Sequence, residues 1–318
     1  MDNLTHTLLG AALADAGLRR KTPLATATLL IGANLPDVDG ILYWVARPDS
    51  AYGFRRGWTH GVLALAAWPF VLTAAMLAWD RWVRRRRQPD APPAAGGTLL
   101  WIALLAVGTH LLLDWFNTYG IRLLMPFSRR WFYGDVLFIV DPWVWLALGV
   151  GVWWSGRRWR QGASHAGRPS RWALGISAAY VAAMFAGSVA ARSEARTAIE
   201  VPGVHVSRIM ASPVAGMPFR REIVADVGTD YILGTVDWLR RPAFVRRAPG
   251  RLPKRGGTPE VSAASGTPAG AAFLRWARFP FFVVEHAGPT TVVHLVDARY
   301  ALDPDARFGA LSVTVPAR

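Results

Sequence analysis

His110 and Asp114 stand four residues apart, so on a helix both project from one face, one turn apart. The run Asn34-Leu35-Pro36-Asp37-Val38-Asp39 stops a helix at Pro36 and offers two carboxylates on one tight turn. His6, His60 and Asp141 are three further groups with the same chemistry. Imidazole and carboxylate together suit a divalent metal, Zn²⁺ first and Mn²⁺ or Fe²⁺ next, because the chain has no cysteine and so no thiolate. Seven candidates exceed the three protein ligands usual for one catalytic zinc. Two arrangements stay open: a pair of ions, or one ion whose histidines are oriented from behind by carboxylates. The chemistry would be activation of water towards an ester or phosphoester, with Asp37 or Asp39 as general base. Arg55 or Arg56 would hold an anionic substrate. Taken singly, the groups have plainer roles. His6 could be a solvated helix-start residue, and Asp141 before Pro142 has the form of an N-cap with proline at the first helical position.

The elements that must position these groups are apolar. The chain has 318 residues, 52% hydrophobic and 18% charged, which excludes a disordered chain, and its lack of cysteine excludes a disulfide scaffold. The hydrophobicity lies almost wholly before residue 192. Four runs, 61–79, 98–113, 136–154 and 172–191, approach the ~20 residues that cross a bilayer as a helix. Two shorter runs, 4–18 and 23–35, are expected as half-depth or tilted helices. Tryptophans near the ends (Trp79, Trp82, Trp131, Trp143, Trp153, Trp154, Trp172) fit an interfacial belt.

Lys and Arg number 36 against 21 Asp and Glu, a net charge of +15. Thirteen of the basic residues fall in 19–21, 81–87 and 157–171, while 36–60 and 115–140 carry six, Arg47, Arg55, Arg56, Arg122, Arg129 and Arg130. The positive-inside rule therefore assigns the first set to the cytoplasm. With four crossings, His6, Asp37, Asp39, His60, His110, Asp114 and Asp141 all fall at the outer face, although only Lys and Arg entered that assignment. A basic surface divided between two sides of a membrane does not suit a nucleic acid.

After residue 192 the pattern changes. The runs 204–212, 219–227, 231–238, 281–285, 291–296 and 310–315 are short, β-branched or aromatic, with turn residues between them. The expected fold is a membrane α-helical bundle of four strong spans and two shorter N-terminal helices over 1–195, followed by a small antiparallel β domain over 196–318. Residues 242–270, rich in Gly, Pro, Ala and Arg, are expected as a long mobile loop.

Several segments in order, Met1-Asp2-Asn3-Leu4-Thr5-His6-Thr7-Leu8-Leu9-Gly10, Gly32–Asp39, Arg56-Gly57-Trp58-Thr59-His60, His110–Trp115 and Asp141-Pro142-Trp143, resemble the YdjM-like family of bacterial inner-membrane, metal-dependent hydrolases. The resemblance implies His6, Asp37, Asp39, His60, His110, Asp114 and Asp141 as the metal-site set and an inner-membrane location. The pattern departs at Gly61, where a small hydroxyl residue is expected after the histidine. A more distant similarity of order, Asp, His, then His-x-x-x-Asp, links the chain with zinc phospholipase C and single-strand nucleases.

The expected function is a membrane-bound hydrolase with a lipid or phosphoester substrate at the bilayer, its outer β domain shaping access or recruiting a protein partner that the sequence does not specify. Two rivals remain: a non-catalytic metal-binding assembly factor, and a proton or cation transporter, which the placement of polar groups at one end disfavours. A reporter active only outside the cytoplasm, fused after Arg318, should be active. An inactive fusion would invert the orientation.

Overall fold

Six helices of the N-terminal half order the groups named above. The computed structural model describes residues 1–41 and 55–316; Arg47 and Arg318 lie outside them. Helix α1 (Asn3–Asp15) starts at Asp2, whose carboxylate accepts from the Thr5 N–H at 3.0 Å. A turn at Gly17, φ +145°, and a short 3-10 turn at Leu18–Arg20 lead to α2 (Ala25–Gly32). A second 3-10 turn, Leu35–Ile41, carries Asp37 and Asp39. Next come α3 (Val62–Trp79), extended through a π turn to Arg87, then α4 (Gly96–Phe116), α5 (Pro142–Arg160) and α6 (Arg168–Ile199).

Three of these helices, Val62–Arg87, Gly96–Phe116 and Arg168–Ile199, are long and apolar enough to cross a membrane among the described residues. The run 136–154 behaves differently from the expectation. Residues 136–141 precede the helix, with the Val136 and Leu137 N–H groups bound to the Phe116 carbonyl at 2.8 and 3.0 Å. Asp141 and Pro142 fix the helix start, and the 19-residue helix runs past the apolar stretch to end in Arg157, Arg158 and Arg160. Trp79, Trp82, Trp153, Trp154 and Trp172 are more than half exposed, as lipid-facing rings would be. Trp131 is the exception, buried beneath Arg122 and edge-on to Tyr119.

The chain divides into two compact units, 1–40 with 56–184, and 41–55 with 185–318; the division falls inside α6. Within the first unit the helix directions follow from side-chain hydrogen bonds. Trp145 donates to Thr5 Oγ1 at 2.9 Å and Trp159 to the Asp15 carbonyl at 3.3 Å, so α1 and α5 run side by side in one direction. Ser170 binds Ser155 and Gly151, which sets the start of α6 against the later turns of α5. Small residues allow close approach: a Cβ on Gly10 would lie 3.0 Å from the Leu29 carbonyl oxygen. One consequence concerns charge. Arg20 covers the Trp159 ring at 4.1 Å and Arg171 donates to the Ala16 carbonyl at 2.7 Å, so the basic residues gather at the end of α1 and α5 remote from His6.

The second unit is an antiparallel β domain. One sheet is ordered β1 (Arg208–Val214), β2 (Met217–Asp226), β3 (Asp230–Asp237), β4 (Phe244–Pro253); the other is β5 (Pro280–Ala287), β6 (Thr290–Asp297), β7 (Ala310–Pro316). Met210, Val224, Tyr231 and Leu233 of the first sheet pack on Phe279, Phe281 and Val296. The opposite face of that sheet, through Ile223, Ile232 and Phe244, packs on Ala191, Ala195 and Ile199 of α6. Residues 242–270 correct the expectation of a loop. They form β4, paired to β3, then α7 (Pro259–Gly266) and the start of α8 (Pro268–Trp276), each capped by a threonine hydroxyl with proline at the first turn. The Gly and Pro content marks helix starts and turns here.

Asp226 ties β2 to the end of β4 through Lys254 Nζ at 2.7 Å. Burial raises this carboxyl, but the Lys254 hydrogen bond, the Gly228 N–H and the Lys254 and Arg208 charges outweigh it and hold it below its ordinary value. A depressed folded value stabilises above the unfolded value of ~4 and is lost as the pH falls through the folded one. Lys254→Met should therefore cost about 1 kcal/mol at pH 7, read as a lower melting temperature in detergent. The difference from wild type should begin to shrink as the pH falls below ~4 and vanish only below the depressed folded value; a constant difference would refute the linkage.

Candidate metal centre

Asp37, His60, His110 and Asp114 each offer a ligand atom such that all four atoms lie within 4.8 Å of one another. Three elements supply them: the 3-10 turn after α2, the Arg56–His60 turn ahead of α3, and the last turns of α4. His60 Nε2 lies 3.2 Å from His110 Nε2 and 3.3 Å from Asp114 Oδ2. Asp37 Oδ1 is 3.8 Å from His60 Nε2 and 4.0 Å from His110 Nε2. His60, His110 and Asp114 are fully buried.

The outward atoms decide how the inward ones present themselves. His110 Nδ1 meets the Ala33 carbonyl at 2.7 Å; a carbonyl only accepts, so Nδ1 carries the proton and Nε2 presents a lone pair. Thr59 Oγ1 donates to Asp39 Oδ2 at 2.9 Å, which leaves it accepting from His60 Nδ1 at 2.8 Å. His60 Nε2 is thereby an acceptor too. Two lone pairs and two carboxylate oxygens thus converge in a buried space, an arrangement that a cation relieves. Arg56 supplies one: its Nε lies 3.0 Å from Asp114 Oδ2 and its Nη2 donates to Oδ1 at 3.1 Å. The Met1 amine also pairs with Asp114 Oδ1. Neither contacts the Nε2 atoms of both histidines, and the donor set of imidazole and carboxylate fits a divalent metal.

His6 stacks on His110 with ring centroids 4.0 Å apart, and its Nε2 is 3.4 Å from Asp114 Oδ1. Both its ring nitrogens are buried without a hydrogen bond among the described residues. Asp39 stands behind His60: besides Thr59, it accepts from the Arg56 backbone N–H at 2.8 Å. That contact holds Arg56 in the left-handed region, φ +48°, a strained conformation for a residue with a Cβ. Asp141 is outside the group of four. It caps α5 by accepting from the Trp143 and Val144 N–H groups at 3.0 and 3.2 Å, and it accepts from Tyr180 Oη at 3.1 Å. Arg55 is half-buried and falls in the other compact unit.

The departure at Gly61 has a steric reason, since a Cβ there would collide with the Met125 carbonyl oxygen. Two contributors are absent from the sequence reading. Thr59 orients His60, and Asn117 accepts from Arg56 Nη1 at 3.2 Å and from the Tyr119 N–H at 2.9 Å. The signal for Asn117 was its place one turn beyond Asp114, at the C-cap of α4.

The family model for YdjM inner membrane proteins matches residues 1–191, the segment that holds every residue of this centre. A protein of Bacillus subtilis (strain 168) named "Uncharacterized protein YfhP" is 27% identical over 172 residues, 49% of this chain and 47% of its own length. The match thus spans about half of that relative. No solved structure matches the chain.

Thr59→Val keeps the shape of residue 59 and removes the link from His60 to Asp39. Metal affinity, measured by chelator competition, should fall roughly 10–100-fold while the metal-free protein melts as wild type does. Unchanged affinity would show that Thr59 does not set the His60 orientation.

Proposed function

The chain belongs to the YdjM family of inner membrane proteins, and from that premise we propose that it is a membrane-bound, metal-dependent hydrolase acting on an ester or phosphoester, lipid-linked where the bilayer supplies it. The observation that carries this reading is the buried convergence of the His60 and His110 Nε2 atoms, 3.2 Å apart, with Asp37 and Asp114. His60, His110, Asp114 and Asp37 would hold a divalent ion, zinc first, with manganese or iron as alternatives, and His6 stands next to them for a second position. When bound, the metal supplies Lewis acidity and generates a nucleophile from water near neutral pH.

The protein's own groups do the remainder. Asp39 already accepts from Arg56 and Thr59, so it orients His60, and Asp37 would take the proton from the attacking water on the carboxylate oxygen that does not hold the ion. Arg56 balances the charge of Asp114 and sets the field in which an anionic substrate oxygen is received. Exclusion of bulk water around the fully buried histidines strengthens each of these interactions. In the membrane, α5 serves as a fourth crossing beside the three longer helices. The arginine-rich ends of α1, α5 and α6 face the cytoplasm, and the metal centre and the β domain face outward.

Elemental analysis of the detergent-purified protein, prepared without chelator, tests the reading. Wild type should carry one or two equivalents of a transition metal, and His110→Ala and Asp114→Ala should lose it. A phosphodiester or phospholipid should be hydrolysed by wild type and not by those variants. Metal-free wild type would sink the proposal. Retained metal with no turnover of any ester would instead mark a metal-binding assembly factor.

A further inference from the structure

The β domain holds a second charged concavity, in a unit that carries none of the metal-centre histidines. A cavity of about 290 Å³ opens on the first sheet, lined by Arg220, Arg240, Arg246, Arg247, Thr235 and Asp237 among others. Four arginines and one carboxylate residue therefore line it. Arg240 approaches Asp237 at 3.4 Å, and Arg247 approaches Glu222 of the neighbouring strand at 3.7 Å. Arg220 and Arg246 make no ion pair among the described residues, and Arg220 Nε is buried without a hydrogen bond. Two positive charges are thus left uncompensated in one small space, where like charges repel.

The backbone is arranged to produce this crowding. Side chains of consecutive strand residues point to opposite faces of a regular sheet. Arg246 and Arg247 are consecutive, yet both line the cavity. The β3–β4 ladder loses its register here: Gly234 pairs with Arg246 and Ile232 with Arg251, so β4 carries extra residues over that stretch. Such bulges re-aim side chains and are frequent beside functional sites. Arg220 comes from the other side, directly opposite Asp237 on β3.

We propose that this cavity binds a phosphate group carrying two negative charges. The guanidinium fork matches phosphate oxygens in pairs, the uncompensated charge of Arg220 and Arg246 matches a dianion, and the Thr235 hydroxyl provides a neutral donor. The volume suits a phosphate or phosphorylated head group and is small for a whole lipid or a nucleotide. A soluble phosphate ion and an anionic lipid head group present the same chemistry, and titration with each separates them.

The test uses the full chain in uncharged detergent, titrated with inorganic phosphate and separately with the short-chain lipid dihexanoyl phosphatidate, with binding read by calorimetry. Saturable binding is expected, weakened about tenfold in Arg246→Ala and in Arg220→Ala. Arg246→Lys keeps the charge without the fork and should fall between. Arg246 is exposed, so its variants should melt as wild type does, which separates loss of binding from loss of fold. Phosphate held at the metal centre would persist in the arginine variants and vanish in His110→Ala, so the two sites are read independently. Tighter binding of phosphatidate than of phosphate assigns the site to a lipid head group, and equal binding assigns it to the free ion. Failure of both probes to saturate, or equal binding by wild type and the arginine variants, would overturn the proposal.

Discussion

Acceptor atoms crowded into a buried space are the constraint from which the helical unit is best understood. His60 and His110 bring their Nε2 atoms to 3.2 Å, with Asp114 at 3.3 Å from the first of them. Each ring could turn away if nothing held it. The Ala33 carbonyl holds one and the Thr59–Asp39 pair holds the other, so the backs of the ligands are satisfied while their fronts are not. The cost of burying such groups is several kcal/mol unless charge is compensated. Arg56 provides part of that compensation, at the expense of a left-handed backbone. Strain and unsatisfied acceptors at one location are the usual signature of a site built for a ligand.

The same constraint explains the directions of the helices. α1 and α5 run together, and α6 returns against α5. Arginines that need headgroups or water are thereby collected at one end, beside Trp159 and the Ala16 carbonyl. The His and Asp residues occupy the other. The separation keeps Arg20 and Arg171 away from the ligand cluster. Small residues at Gly10 and Gly32 let the backbones approach closely enough for Ala33 to reach His110.

The β unit follows a separate logic. Its core lies on both faces of the first sheet, against α6 on one and against the second sheet on the other. Its charged groups sit where the ladder between β3 and β4 is irregular. Lys254 and Asp226 close one end of that sheet by an ion pair; at the other end Arg240 and Arg247 have acid partners in Asp237 and Glu222, and Arg220 and Arg246 have none among the described residues.

Much of this was legible from residue types alone. Hydrophobic runs and basic loops marked the helical half, alternating β-branched runs marked six of the seven strands, and the spacing of His110 and Asp114 marked one helical face. The missed strand, β4, has the sequence Phe244–Pro253, which contains three arginines and two prolines and carries no alternation to read. The start of α5 was placed six residues early because hydropathy counts Val136 and Leu137, which are buried ahead of the helix, as part of the span. Sequence by itself determined which side chains could do chemistry and at which end of the helices they fall, because composition and helical period are local properties. Only tertiary structure decided that Asp37, His60, His110 and Asp114 form one group, that Asp39 and Thr59 stand behind His60, and that Asp141 caps a helix. Those roles depend on distances between elements far apart in the chain, and hydrogen-bond partners fix them only once the helices have packed.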